Sequence, residues 1–298
     1  LFEIPDDDVM FLNNEKNILV LLSGLALMVP SVGWAEKEGP QVVAGIQSRH
    51  IYSSDIEATD GDIDITSTKF DLTYKFKAAG ELPVDISLDV GHKDINADTS
   101  VDLPSHLGSR RLGLSTKFPV PFVSDDRFFM GIDILPTLNT DNWDWRSGAF
   151  RIPFRSYLIF KESDDLILVG GVSVRPEYER EVIPVIGLIY RPNDRLSFNF
   201  ASDDPNISYK LNDVTLLRWE LQYVFDEYEV TRGTQEGVVL QYQEISSGFG
   251  IEHQFNETFK GAVSAGGVFN RQLEYKDDVG KVAPETGFYT GLQLKATF

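Results

Sequence analysis

The chain has no cysteine, which removes disulfides, thiolate metal sites and thiol chemistry together. It is also short of positive charge, with 27 Lys and Arg against 46 Asp and Glu and a pI near 4.5. With no basic run, such a polyanion is repelled by phosphates, so nucleic-acid binding is excluded. Long apolar runs are missing as well: nothing after residue 35 approaches the ~18 consecutive apolar residues of a spanning helix. No convincing helical period occurs beyond that point either. A mature chain of this kind enters a membrane only as a closed barrel, the one other structure that satisfies its backbone in lipid.

What is present begins with a leader. From Met10 a short polar stretch carrying Lys16 precedes the apolar run ILVLLSGLALMVP, and SVGWA follows. This pattern predicts a secretory signal peptide cut after Ala35, with Gly33 and Ala35 as the small residues at the cleavage site. Glu15 offsets Lys16. Residues 1–9 (LFEIPDDDV) read as sequence upstream of the true start, because acids ahead of a leader oppose insertion. The predicted organisation is therefore 1–35 as upstream residues plus leader and 36–298 as a single barrel. Removing 1–35 takes five acids and one base from the totals and leaves 41 acids and 26 bases.

The remainder alternates with period two. Phe70, Leu72, Tyr74 and Phe76 are interleaved with Lys69, Asp71, Thr73, Lys75 and Lys77. Val84 to Val90, Leu112 to Phe118, Phe128 to Ile134 and Phe150 to Phe160 repeat the pattern, followed by LILVGGVSV, PVIGLIY, LSFNF, NISYK and LLRWELQYVF. The last residues, FYTGLQLKATF, put Phe288, Thr290, Leu292, Leu294, Ala296 and Phe298 on one face and Gly291, Gln293, Lys295 and Thr297 on the other. An alternating strand closed by a terminal aromatic resembles the C-terminal assembly signal of Gram-negative outer-membrane β-barrels, here Phe298.

That resemblance implies an all-β fold: a transmembrane antiparallel up-and-down β-barrel in the outer membrane of a Gram-negative bacterium, with short periplasmic turns and longer external loops. Parity agrees. ESDD, RPND, LND and NET fall on the same side as AAGELP, while residues 96–109, 139–148 and 276–286 fall opposite; PVPFVSDD is long for the short-turn side. The count is about 14 strands, or 12 if LSFNF and NISYK do not both span. Implied partners are outer-membrane lipid, lipopolysaccharide, the barrel-assembly machinery through the last strand, and a small solute. Nothing points to a cofactor or metal.

A charged group on the lipid face costs roughly 2–4 kcal/mol near the midplane, so the apolar set faces outward and the charged set inward. A soluble barrel would reverse this. The leader, Phe298 and a strand number too wide for side chains to fill decide for the membrane. Trp143, Trp145, Tyr190, Trp219, Tyr223, Tyr242, Phe255, Phe259 and Tyr289 lie near strand ends, where aromatic rings favour the headgroup level. The predicted pore lining is Lys69, Lys75, Asp85, Asp89, Arg111, Asp133, Arg151, Arg155, Arg218 and Glu220, with Lys77, Lys117 and Lys161 on the same faces. Either these charges set a transverse field that selects solutes, or they pair across strands and fill a wet interior. The implied function is a passive channel or transporter for small solutes, with a closed barrel acting through acidic external loops as the alternative.

Catalysis is not expected. None of His50, His92, His106 and His253 has Ser two residues on, the spacing outer-membrane lipases and deacylases use, and His92 with Asp94 is the single His and acid pair of note. Asp55, Glu57, Asp60, Asp62 and Asp64 could bridge divalent ions to lipopolysaccharide phosphates, but Ile65 stands where a calcium loop needs Gly, and solvated charge accounts for the run.

Overall fold

Strands whose two faces differ this sharply need every backbone edge paired, and in a membrane that means closure. The computed structural model describes residues 39–57, 61–78, 82–121, 123, 125–142, 144–201, 205–233, 235–276 and 280–298. The expected leader lies outside the described residues, as do Asp60 and Trp143. In chain order the strands are β1 (Gln41–Asp55), β2 (Asp62–Ala78), β3 (Leu82–Ala97), β4 (His106–Pro119), β5 (Phe128–Ile134), β6 (Thr137–Thr140), β7 (Phe150–Arg151), β8 (Phe154–Lys161) and β9 (Leu166–Val174). They continue with β10 (Val182–Tyr190), β11 (Leu196–Asn199), β12 (Asn206–Lys210), β13 (Thr215–Arg232), β14 (Gln235–Gln254), β15 (Phe259–Tyr275), β16 (Lys281–Val282) and β17 (Gly287–Thr297).

Proline interrupts two staves without ending them. β5 runs into β6 across Leu135 and Pro136, and β7 into β8 across Ile152 and Pro153. Leu112 N–H still donates to Pro136 O at 2.9 Å and Leu135 N–H to Pro153 O at 2.8 Å, so the ladder continues past both breaks. With β16 a two-residue ribbon on β15, the wall has fourteen antiparallel staves, closed by β1 on β17 from Val43↔Thr297 to Ile51↔Tyr289. Fourteen holds over twelve because LSFNF and NISYK both supply strands, β11 and β12, of four and five residues. The connections alternate as expected between an inner rim of short turns and an outer rim of longer loops, with 120–127 the long one on the inner rim. The join of β13 to β14 is tight despite standing on the outer rim; Gly233 takes φ 57°, a left-handed value that glycine adopts without a Cβ clash.

Around the inner half the apolar side chains face outward. Leu112 is 53% exposed there, Phe249 73% and Ile186 84%. A continuous apolar band of this kind is stable against lipid and not against water.

At the outer ends of β1–β4 and β13–β15 the same strands turn inside out. In β2, Ile63 and Ile65 share the inward face with Lys69 and are 0% and 1% exposed, while Asp62 and Asp64 face out. The apolar phase changes across Thr66, Ser67 and Thr68, so Phe70, Leu72 and Tyr74 take the outward face below. In β15 the change runs through a bulge: the register slips opposite Gln243 and Ile245, Asn270 takes φ 47°, and Arg271, Leu273 and Tyr275 turn inward. Asparagine is among the few side chains that tolerate that conformation.

Of these, Ile63, Ile65, Leu273 and Tyr275 form one core with Ile51, Ile95, Leu107, Tyr228, Val230, Leu240 and Tyr242. Each buried Ile or Leu contributes about 1.5–3 kcal/mol. The ring around them is narrower than the wall below. β12 pairs with β13 only as far as Glu220, and beyond it Thr140 of β6 bridges Glu229 of β13 in parallel. Nine staves (β1–β4, β6, β13–β15 and β17) therefore enclose the core, near the strand number that side chains can fill. Two of the aromatics expected at the headgroup level are part of this filling: Tyr242 is 1% exposed and Tyr289 3%. Both lie close to strand ends in sequence but on the inward face. Tyr190, Tyr223, Phe255 and Phe259 face outward and are exposed.

Candidate functional site

The lumen of the inner half is where the strand pattern brings chemistry together. Nine of the ten residues expected to line it (Lys69, Lys75, Asp85, Asp89, Arg111, Asp133, Arg155, Arg218 and Glu220) take inward register positions there. Pairing across strands and along one strand accounts for part of this set. Lys69 Nζ lies 3.3 Å from Asp89, and Arg218 Nε lies 4.0 Å from Glu220 Oε2. Asp133 opposes Arg155 and accepts a 3.5 Å hydrogen bond from Tyr157 Oη. Arg151 has a different environment: its side chain is 6% exposed and its Nη1 lies 3.1 Å from Glu227 Oε2.

Lys77, Lys117 and Lys161 take the inward positions expected of them, and register adds Lys210, Lys260 and Lys295. All six point inward within three residues of the inner ends of β2, β4, β8, β12, β15 and β17. Asp71 and Glu252 are the further acids, and Lys260 bonds Glu252 at 2.8 Å. The inner lumen thus carries eleven basic side chains (Lys69, Lys75, Lys77, Arg111, Lys117, Arg155, Lys161, Lys210, Arg218, Lys260 and Lys295). Six acids accompany them: Asp71, Asp85, Asp89, Asp133, Glu220 and Glu252. All eleven bases are exposed or half-buried. One sector is different again: on β8–β10, Ile159, Ile167, Val169, Ile183, Val185 and Ile189 face the lumen, half-buried. LILVGGVSV and PVIGLIY carry apolar residues on both faces, a signal for this sector that was present in the sequence.

Above the lumen the core closes the axis, and an ionic layer forms its floor. Arg49 pairs with Glu244, which also accepts from Tyr242 Oη, and Arg271 donates to Ser54. The Arg49 guanidinium stacks 4.1 Å from the centroid of Tyr289. To the side, the wall is low over β9–β12, and residues 175–181 seal it against β13. Arg175 Nη2 donates to Phe225 O at 2.7 Å, and Glu179 N–H to Glu227 Oε1 at 2.9 Å. Arg151 and Arg175 flank Tyr178 at 4.4 and 4.1 Å. Glu177 holds φ 67° at the tip of this loop.

On the outward face His92 and Asp94 do meet, at 2.9 Å, with His106 stacked on His92 at 5.9 Å. Ser105 bonds His106 at 3.3 Å, so the acid and this hydroxyl engage different imidazoles. In the acidic outer loop Ser53 donates to Asp62, and Asn96 Nδ2 donates to Asp64 at 2.8 Å. Among the described residues no group of His, Asp and Glu is arranged to hold a metal ion. In the 120–127 turn, a side-chain hydrogen bond from Arg127 holds the Asp125 carboxyl below the usual carboxylate range.

No family model matches the chain, and no curated protein matches it. Solved structures similar to it include an outer-membrane channel from Pseudomonas putida F1, at 10% identity over 91% of this chain and 100% of that one, with a TM-score of 0.49. A FadL homologue of Pseudomonas aeruginosa is similar at 11% identity over 87% of this chain and 89% of that one, TM-score 0.46. The KdgM porin follows at 13% identity over 85% and 99%, TM-score 0.33. Closure, strand parity and the outward apolar band make this chain a β-barrel of the outer-membrane type.

Proposed function

We propose that this protein is a passive channel or transporter for small solutes in the outer membrane of a Gram-negative bacterium, exported through a leader that ends at Ala35. The observation that carries the reading is the inner lumen: it is fourteen staves around, lined by charge and left unpacked, whereas the fully buried apolar side chains lie in the outer core. Water-filled lumens of this kind are what wide membrane barrels enclose. The nine inward charges predicted from sequence, with the added lysines, set the field a solute meets. Because the core closes the axis and residues 175–181 seal the low sector of β9–β12 against β13, a sideways route there requires that loop to part from β13. Arg151 belongs to that outlet through Glu227 and Tyr178. No catalytic role is assigned. The apolar band contacts lipid, the acidic loops face lipopolysaccharide, and β17 with Phe298 is the segment offered to the barrel-assembly machinery.

A second reading has its own support. The filled outer barrel favours a closed, structural protein that acts through its acidic external loops. Single-channel recording from the purified barrel in a planar bilayer under a salt gradient separates the two. Discrete current steps establish the channel; silence from demonstrably folded protein establishes the closed barrel.

A further inference from the structure

The whole chain carries a formal charge of −19, yet its inner lumen has the opposite sign, with eleven bases against six acids. In a cavity with low-dielectric walls the lining charges govern which ions accumulate, and the distant acids of the outer rim are screened beyond a Debye length. Above the inner turns, whose acids include Asp164 at 2.7 Å from Lys161, the lining therefore favours anions. Inorganic anions would have no use for the second feature, the apolar sector of Ile159, Ile167, Val169, Ile183, Val185 and Ile189. Lipid accounts only for the outward faces of β8–β10, where Leu158, Leu168, Val172 and Ile186 are exposed. The inward valines and isoleucines meet water unless an apolar body covers them, and covering them is favourable in proportion to area. On β8 Lys161 stands level with Ile167 and Ile189, and Arg155 level with Ile183, so a cation marks each end of the apolar patch, Lys161 being paired with Asp164 at 2.7 Å.

We propose that the inner lumen binds anionic amphiphiles: a carboxylate or sulfonate head on a short alkyl or aromatic body, the body against β8–β10 and the head among the luminal lysines and arginines. The proposal names a solute class for the channel reading and rests on that reading for transport alone, since binding is measurable without current. Uncharged hydrocarbons would leave the basic wall unanswered; small hydrophilic anions would leave the apolar wall bare.

The full exported protein in nanodiscs is dialysed to equilibrium against three soluble probes, with empty nanodiscs subtracting partition into lipid. The probes are octanesulfonate, octyltrimethylammonium with the same tail and opposite charge, and ethanesulfonate with the same head and almost no tail. Octanesulfonate is expected to bind at least roughly tenfold more tightly than either control. Equal binding of the cation removes the role of the lysines and arginines; equal binding of ethanesulfonate removes that of the β8–β10 sector, and either result overturns the proposal. Val169→Ser with Val185→Ser should erase most of the advantage over ethanesulfonate, and Lys69→Gln with Arg111→Gln most of the advantage over the cation. Recording in bilayers is scored separately. Binding without current sinks the channel and keeps the site, while current without preference for octanesulfonate keeps the channel and sinks the site.

Discussion

Along one face of β2, Ile63 and Ile65 are buried at the outer end, while Lys69 and Lys75 are exposed at the inner end. The backbone between them is continuous and the parity unbroken, so the difference comes from what surrounds each half. In the inner half the outward face meets lipid and the inward face meets water, so charge points in. In the outer half the ring narrows to nine staves, its interior is small enough for side chains to fill, and apolar residues point in. A single set of strands thus builds a membrane-type barrel below and a soluble-type barrel above. The boundary is written in short polar stretches such as Thr66 to Thr68 and in the bulge at Asn270.

The largest loss of stability is expected at the ionic floor between the halves. Glu244→Gln leaves the buried Arg49 guanidinium without its countercharge, and the cost expected is about 3–5 kcal/mol. Urea unfolding in lipid vesicles reads it, and a loss below about 1 kcal/mol, the scale of an exposed pair, would place Arg49 in water. Next is Leu240→Ala in the outer core, expected to cost about 2–5 kcal/mol. Hydrogen exchange should show the added opening confined to the outer ends of β13–β15, with the inner ends unchanged. On the lipid side, Phe249→Arg should cost roughly 2–4 kcal/mol, and insertion into bilayers checks it. The smallest effect on stability belongs to the lumen. Lys69→Gln removes a half-exposed pair with Asp89 worth about 0–1 kcal/mol, yet it should move the reversal potential toward cation preference under a salt gradient.

Much of the inner half was legible in the sequence, because period-two alternation and the cost of charge in lipid together fix which face is which. Strand number, closure and the inward positions of nine predicted residues follow from those two facts. The outer half was harder to read. Ile63 and Ile65 are out of phase with Phe70 and Leu72, and that shift is visible in DIDITSTKFDL, but alternation alone does not say whether such a shift marks a loop or an inverted barrel. The contact of Thr140 with Glu229 joins residues far apart in the chain and leaves no local pattern, so neither the narrowing of the ring nor the destination of Arg151 could be read. Tyr242 and Tyr289 show the same limit, since distance from a strand end does not give the side of the wall.

With no native cysteine in the chain, water access to each half of the lumen can be measured directly. Single cysteines are placed on the inward face of each half, Ile63→Cys and Leu240→Cys outside, Thr73→Cys and Ser197→Cys inside, and titrated with a small water-soluble thiol reagent in the folded protein. The inner pair is expected to react readily and the outer pair only after denaturation. Reaction of Ile63→Cys in the folded barrel at the rate of Thr73→Cys would mean that water runs the full length of the lumen, and would contradict the filled outer core.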